Sequence, residues 1–222
     1  SQVLRMIAAA NPVIQPKVRK TVPPCNSRGE CKTFRNIHVG PLVSRALRSY
    51  LASRGIDMTV AETRCREIRY TTNGREYYAL AFPNEAGGYE MRNPYFKGCM
   101  SPKSITIIRN KDEVDACCLF EGFMDYLSFE TGIRNGKVPI PTDRYECVVL
   151  NSVSTLSRAV PRLKKYKKIY CYMDNDDAGR KVVDFLREMN NWTIMDMMEQ
   201  YPMYKDVNDL LQGCLLYTSD AA

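Results

Sequence analysis

The stretch "IYCYMDNDDAGRKVV", residues 169 to 183, sets three carboxylates within four positions directly after an apolar run. Asp174, Asp176 and Asp177 repel one another, and burying them without partners is costly. A cation, or a substrate that carries cations, resolves the conflict. A second acidic tip, Glu121-Gly122, ends the apolar run "ACCLF". Both tips lead into residues at helical spacing, so both acids can converge on one edge of a parallel sheet. Hard oxygen ligands with open coordination positions suit Mg²⁺ or Mn²⁺ when phosphates complete the sphere. Gly122 and Gly179 let the backbone turn there without a side chain blocking the site.

Other uses of such acids fit less well. A calcium loop counted from Asp174 needs a bidentate Glu at its twelfth position, where Phe185 stands. An aspartyl-phosphate phosphatase would read D-x-D-x-T, but Ala178 occupies the Thr position. Capping of the helix that begins near Asp177 accounts for one carboxylate, not for the trio together with Glu121.

The elements that must position these acids follow from periodicity. From residue 105 strand and helix patterns alternate: "ACCLFEG", "FMDYLSFETGI", "YECVVLNS", "STLSRAVPRLKKY", "KKIYCYMD", "DAGRKVVDFLREMNN" and "WTIMDM". This order predicts a parallel sheet covered by helices. Before it, "EIRYTT" and "EYYALAFPN" flank the turn "NGR", and "GGYEMRN" makes a third strand of a small antiparallel unit. "VGPLVSRALRSYLASRGI" carries apolar residues at helical spacing up to Gly55. Residues 11 to 37 hold Pro12, Pro16, Pro23 and Pro24 with little periodicity and read as a linker or extended arm.

Charge is unevenly spread. Of the net +7, residues 1 to 60 contribute +8, a distribution that suits a polyanionic partner and equally an ordinary solvated face. The helix end "SRAVPRLKKYKK" is read as an exposed C-terminus whose lysines complement the helix dipole. No apolar stretch approaches the roughly 18 residues of a membrane helix, and no secretory signal is visible. Nine cysteines without regular spacing fit a reducing compartment, so a cytoplasmic protein is expected. Cys25 and Cys31 lack the spacing and second pair of a zinc site, and zinc is not expected.

"LFEGFMDYLS", followed about fifty residues later by "IYCYMDNDDAGRKVVDFL", resembles the Toprim domain of bacterial primases, topoisomerases and some nucleases. The resemblance covers roughly residues 103 to 212. It implies metal-binding or catalytic roles for Glu121, Asp174 and Asp176. "YKDVNDLL" is similar to the late acidic motif of primase-type Toprim domains and implies a further metal-site acid at Asp206. Asn208 stands where a second acid is usual, and Asp206 also fits a plain helix cap. "YYALAFPNEAGGYEMRNPYFKG" is similar to the basic strand-rich segment that precedes Toprim in bacterial primases. That similarity implies nucleic-acid contacts from Arg75, Arg92, Asn93 and Lys97, which otherwise read as solvated hairpin side chains.

The expected organisation is an arm or linker at 1–37 and a helix with a small antiparallel basic subdomain at 38–102. A Toprim domain at 103–213 and a non-native tail at 214–222 complete it, the tail resembling translated adapter peptide. The resemblance implies a Toprim-domain DNA primase, with Mg²⁺ or Mn²⁺, single-stranded DNA and nucleoside triphosphates as partners and a replicative helicase as a further one. Primases encoded by mobile elements resemble this arrangement, and they normally carry an upstream zinc module, which is expected to be missing here. Two alternatives stay open: a Toprim nuclease, and a non-catalytic DNA-binding mobilisation or recombination factor.

Overall fold

The computed structural model describes residues 34–214, which divide into two units between Thr106 and Ile107. Cys25, Cys31, most of the basic arm and all but the first residue of the 214–222 tail lie outside the described residues.

The first unit holds β1 (Arg35–Gly40), α1 (Arg45–Ser53), α2 (Met58–Arg64), β2 (Arg66–Thr72), β3 (Arg75–Pro83), β4 (Tyr89–Asn93) and β5 (Phe96–Met100). Its sheet runs in the order β1-β2-β3-β4-β5 with antiparallel neighbours throughout. Asn73 and Gly74 take positive φ of 50° and 71° between paired Thr72 and Arg75. That is the two-residue turn whose twist matches a hairpin. Alternation places Ile68, Tyr70, Ala79, Ala81 and Met91 in one buried cluster on one face.

Two strands and a helix here were not anticipated. β1 begins inside the segment read as an arm. Four of its six side chains are exposed, so it carries no alternation to read. β5 follows β4 after only Pro94 and Tyr95, and Gly98 interrupts its apolar pattern. The helix read from Val39 to Ile56 is shorter: β1 claims its start, Ser44 caps α1, and Asp57 Oδ1 caps α2 by accepting from Thr59 N at 2.7 Å.

The second unit is an α/β layer structure with sheet order β10-β9-β7-β8-β6. Its strands are β6 (Thr106–Ile108), β7 (Ala116–Phe120), β8 (Tyr145–Val149), β9 (Lys168–Tyr172) and β10 (Thr193–Asp196). The β10–β9, β9–β7 and β7–β8 pairs are all parallel. Helices α3 (Phe123–Asn135), α4 (Leu156–Leu163), α5 (Asp177–Glu188) and α6 (Val207–Gln212) connect and flank the strands. Every residue of β7 is buried, as expected for a strand with neighbours on both sides and cover on both faces. Phe120, Phe129 and Tyr172 pack ring to ring, with centroids 4.8 to 5.1 Å apart, behind the strand tips.

The basic run after α4 is an ion-paired surface. Lys165 bonds Glu146, Lys167 bonds Asp115 and Lys168 bonds Asp143, at 2.6, 2.8 and 2.8 Å.

Candidate metal centre

Strands β7 and β9 are neighbours in register, Phe120 beside Tyr172. Glu121 and Asp174 therefore leave the same edge of the sheet within two residues of those positions. Carboxylate oxygens of Asp125, Asp174 and Asp206 all lie within 4.8 Å of one another. Three separate elements supply them: the first turn of α3, the tip of β9 and the N-cap of α6.

Local chemistry fixes each position. Gly122 caps α3 in extended backbone, and a Cβ there would stand 3.1 Å from Asp125 Oδ2. At Gly179 a Cβ would fall far inside van der Waals contact of the Asp174 carbonyl oxygen, so α5 can approach the strand tip only with glycine there. Neither glycine has positive φ; the requirement is space. Asn175 ties the next segment in place: its N–H donates to the Lys205 carbonyl at 2.6 Å and its amide to the Pro202 carbonyl at 3.3 Å. This clamp carries Asp206 to Asp174. Asp206 Oδ1 accepts from Asp209 N at 2.8 Å, so it is a helix cap and a member of the cluster at once.

Electrostatics bear the strain of crowding. Burial raises the Asp174 carboxyl to about 7, and Glu121, Asp206 and Asp176 press it the same way. Asp125, buried in α3, is pushed well above the usual carboxylate range by burial, then by Asp206, Asp174 and Glu121. The Tyr201 phenol lies buried beside the same acids, and its hydroxyl has no hydrogen-bond partner among the described residues. A set of hard, mutually repelling oxygens with an orphaned hydroxyl at its side fits a divalent cation.

Of the sequence-derived residues, the structure groups Asp174 and Asp206. Glu121 stands outside the trio but within its field. Asp176 is placed differently: its Oδ1 accepts from Ala178 N at 2.9 Å and Gly179 N at 3.0 Å, capping α5. Asp125 was missed.

Asn208 is fully buried and donates from Nδ2 to Ser128 Oγ at 2.8 Å, while that hydroxyl donates to the Met124 carbonyl at 2.7 Å. It fastens α6 to α3. A carboxylate at this position would meet a hydroxyl whose hydrogen is already committed. Asn208→Asp is therefore expected to cost about 2 kcal/mol or more in stability, read as a drop in melting temperature; an unchanged melt would remove this fastening role.

In the first unit, Arg92 Nε donates to the Tyr50 hydroxyl at 3.2 Å, and Lys97 is its direct cross-strand partner. Asn93 is engaged in the β4–β5 turn, donating to the Tyr78 carbonyl and accepting from Tyr95 N, both at 2.9 Å. By strand alternation Arg75 and Asn93 point to the face opposite Arg92 and Lys97. The four candidates thus do not form one surface.

Residues 118–211 match the Toprim-like family model, and residues 36–101 match that of a domain of unknown function (DUF8464). Two solved structures are distantly similar. One is the primase fragment of the bacteriophage T7 primase-helicase protein, at 16% identity and TM-score 0.46, over 89% of this chain and 77% of that one. The other is a bacteriophage T7 lagging-strand DNA polymerase complex with primase domains bound to an RNA/DNA hybrid and dTTP. It matches at 16% identity and TM-score 0.41, over 69% of this chain and 76% of that one. No curated protein sequence matches. With acids from β9, α3 and α6 gathered at the carboxyl edge of its parallel sheet, the segment 118–211 is a Toprim-like domain.

Proposed function

We propose that the chain is a primase-like nucleotidyltransferase that uses Mg²⁺ or Mn²⁺ and a single-stranded DNA template. The observation that carries this reading is the convergence of Asp125, Asp174 and Asp206 within 4.8 Å at the sheet edge where such folds bind ligands. These three carboxylates would hold the cation, which when bound neutralises the phosphates of an incoming nucleoside triphosphate. Glu121, at the tip of the neighbouring strand, would take up the proton of an attacking 3′-hydroxyl or orient a water. Asp176 and Asn175 act indirectly, one by capping α5 and the other by clamping the segment that bears Asp206. The first unit supplies positive charge: its residues 34–106 carry net +5, against −2 for residues 107–214.

The test is a single-stranded template incubated with labelled nucleotides and Mg²⁺ or Mn²⁺, scored for both synthesis and degradation. Metal-dependent incorporation is the expected result. Degradation without incorporation would replace this reading with a nuclease, and DNA binding without either reaction would leave a non-catalytic DNA-binding factor.

A further inference from the structure

A second surface lies wholly within the first unit. His38 and Arg69 are direct cross-strand partners on β1 and β2, and Arg69 and Tyr78 are partners on β2 and β3. Paired residues share a face, so the three form one row. The next row on that face runs Gly40, Glu67, Leu80, Arg92 and Lys97. His38, Arg69 and Lys97 are exposed, and Tyr78 is 44% exposed. At the β1 end of the two rows, where the chain turns towards α1, a cavity of about 260 Å³ opens between His38, Gly40, Pro41, Val43, Glu67 and Arg69.

The chemistry of this pocket is specific. Glu67 is buried, and both of its oxygens are engaged: Oε2 accepts from Val43 N and Ser44 N at 3.1 and 2.6 Å, and Oε1 accepts from Arg69 Nε at 2.8 Å. The acid thereby holds the Arg69 guanidinium in a fixed plane and adds no open carboxylate to the pocket. Arg69 remains 61% exposed despite the pair. Pro41 and the exposed Val43 give apolar walls, and Gly40 leaves one side without a side chain. The cavity is smaller than the roughly 300 Å³ at which pockets begin to take drug-sized ligands. It suits one planar ring system rather than a whole coenzyme.

From these features we infer that the His38–Arg69–Tyr78 row and its pocket bind single-stranded DNA, with one unstacked base seated in the pocket. Tyr78 and the fixed Arg69 plane offer stacking surfaces for neighbouring bases, as aromatic rings and guanidinium planes do for splayed-out strands. Arg92 and Lys97, on the adjoining row, face the phosphates. The net +5 of residues 34–106 complements the strand's charge. A duplex cannot use the site, because its bases are paired and stacked. The choice of DNA rests on the template role proposed above; the seating of an unpaired base does not.

The test is fluorescence anisotropy of the full chain with labelled oligothymidylate in EDTA, so that catalysis plays no part. His38→Ala and Tyr78→Ala are each expected to weaken binding about tenfold. Tyr77→Ala, on the opposite face against Tyr70 with ring centroids 5.9 Å apart, is expected to stay within about twofold, the size of a solvated-surface effect. An oligonucleotide with abasic positions keeps the phosphates and removes the bases. It should bind the wild type about tenfold more weakly and be indistinguishable from the intact strand for the His38→Ala, Tyr78→Ala double variant. Equal affinity for duplex, tighter binding of RNA, equal losses at Tyr77, or indifference of the wild type to abasic positions would each overturn the inference. Failure of nucleotide incorporation alone would overturn only the proposed reaction.

Discussion

Asp174→Asn is expected to abolish metal-dependent turnover, by on the order of a hundredfold or more, while raising the melting temperature of the metal-free protein. The two effects have one cause. Asp174 shares its site with Asp125 and Asp206, and burial together with Glu121, Asp206 and Asp176 raises its carboxyl to about 7 from an ordinary 3.8. A carboxyl whose folded value exceeds its unfolded value stabilises the fold when protonated. Its contribution is fully present below pH 4 and lost as pH rises to about 7, beyond which the loss levels off. Metal-free wild type should therefore lose stability across pH 4 to 7 from this group, and the amide variant should show a shallower slope. A divalent cation competes with the proton for the same oxygens, so Mg²⁺ or Mn²⁺ should raise the wild-type melting temperature more at pH 8 than at pH 5. The variant should lose most of that increment. Thermal melts on a pH grid, with and without metal, check both statements. A variant that keeps wild-type turnover, or a metal increment that is larger at pH 5, would remove Asp174 from the centre.

Much of this site was legible because strand tips are marked by both composition and position. "ACCLF" and "IYCYM" are continuous apolar runs, and an acid directly after each must sit at the sheet edge. Asp206 was legible through the late motif. Asp125 was not, because α3 is buried on nearly every side from Phe123 to Gly132. A helix without a solvated face offers no polar stripe against which an inward acid stands out. Asp176 carries a second role, as the cap of α5. D-x-D reads as paired ligands, yet the same Asp lies three residues before Gly179, the spacing at which an N-cap carboxylate reaches a backbone N–H. In the antiparallel unit the hairpin at Asn73-Gly74 was legible from its turn residues alone. The split of Arg75 and Asn93 from Arg92 and Lys97 required the register, since a side chain's face depends on the parity of its pairing.

Gly179→Ala is the second large effect, and its sign runs against helix propensity. In an exposed helix interior, alanine is more favourable than glycine by about 1 kcal/mol. Gly179 is buried in the first turn of α5, where a Cβ would collide with the Asp174 carbonyl oxygen and stand 3.1 Å from Met173 Cβ. The obstacle is backbone, so no side-chain rotation relieves it. Either α5 or the β9 tip must move, and overpacking of this kind costs about 1–3 kcal/mol or more. The steric cost is expected to win, lowering the melting temperature by about 4–8 °C for a net loss near 2 kcal/mol in a chain of this size. Movement of the β9 tip also displaces Asp174 from Asp125 and Asp206, so metal affinity should fall with stability. Gly122→Ala separates the two consequences. Its φ of −128° and ψ of 160° suit any residue, and the added Cβ meets only Asp125 Oδ2, at 3.1 Å. That carboxylate must yield by a few tenths of an ångström, which disturbs one ligand and leaves the helix intact. Gly122→Ala is therefore expected to melt within about 2 °C of wild type, as a surface-sized change does, while binding Mn²⁺ more weakly in a metal titration. A Gly179→Ala protein that melts higher than wild type would mean that helix propensity outweighs the contact and that the glycine is not what brings α5 against the strand tip.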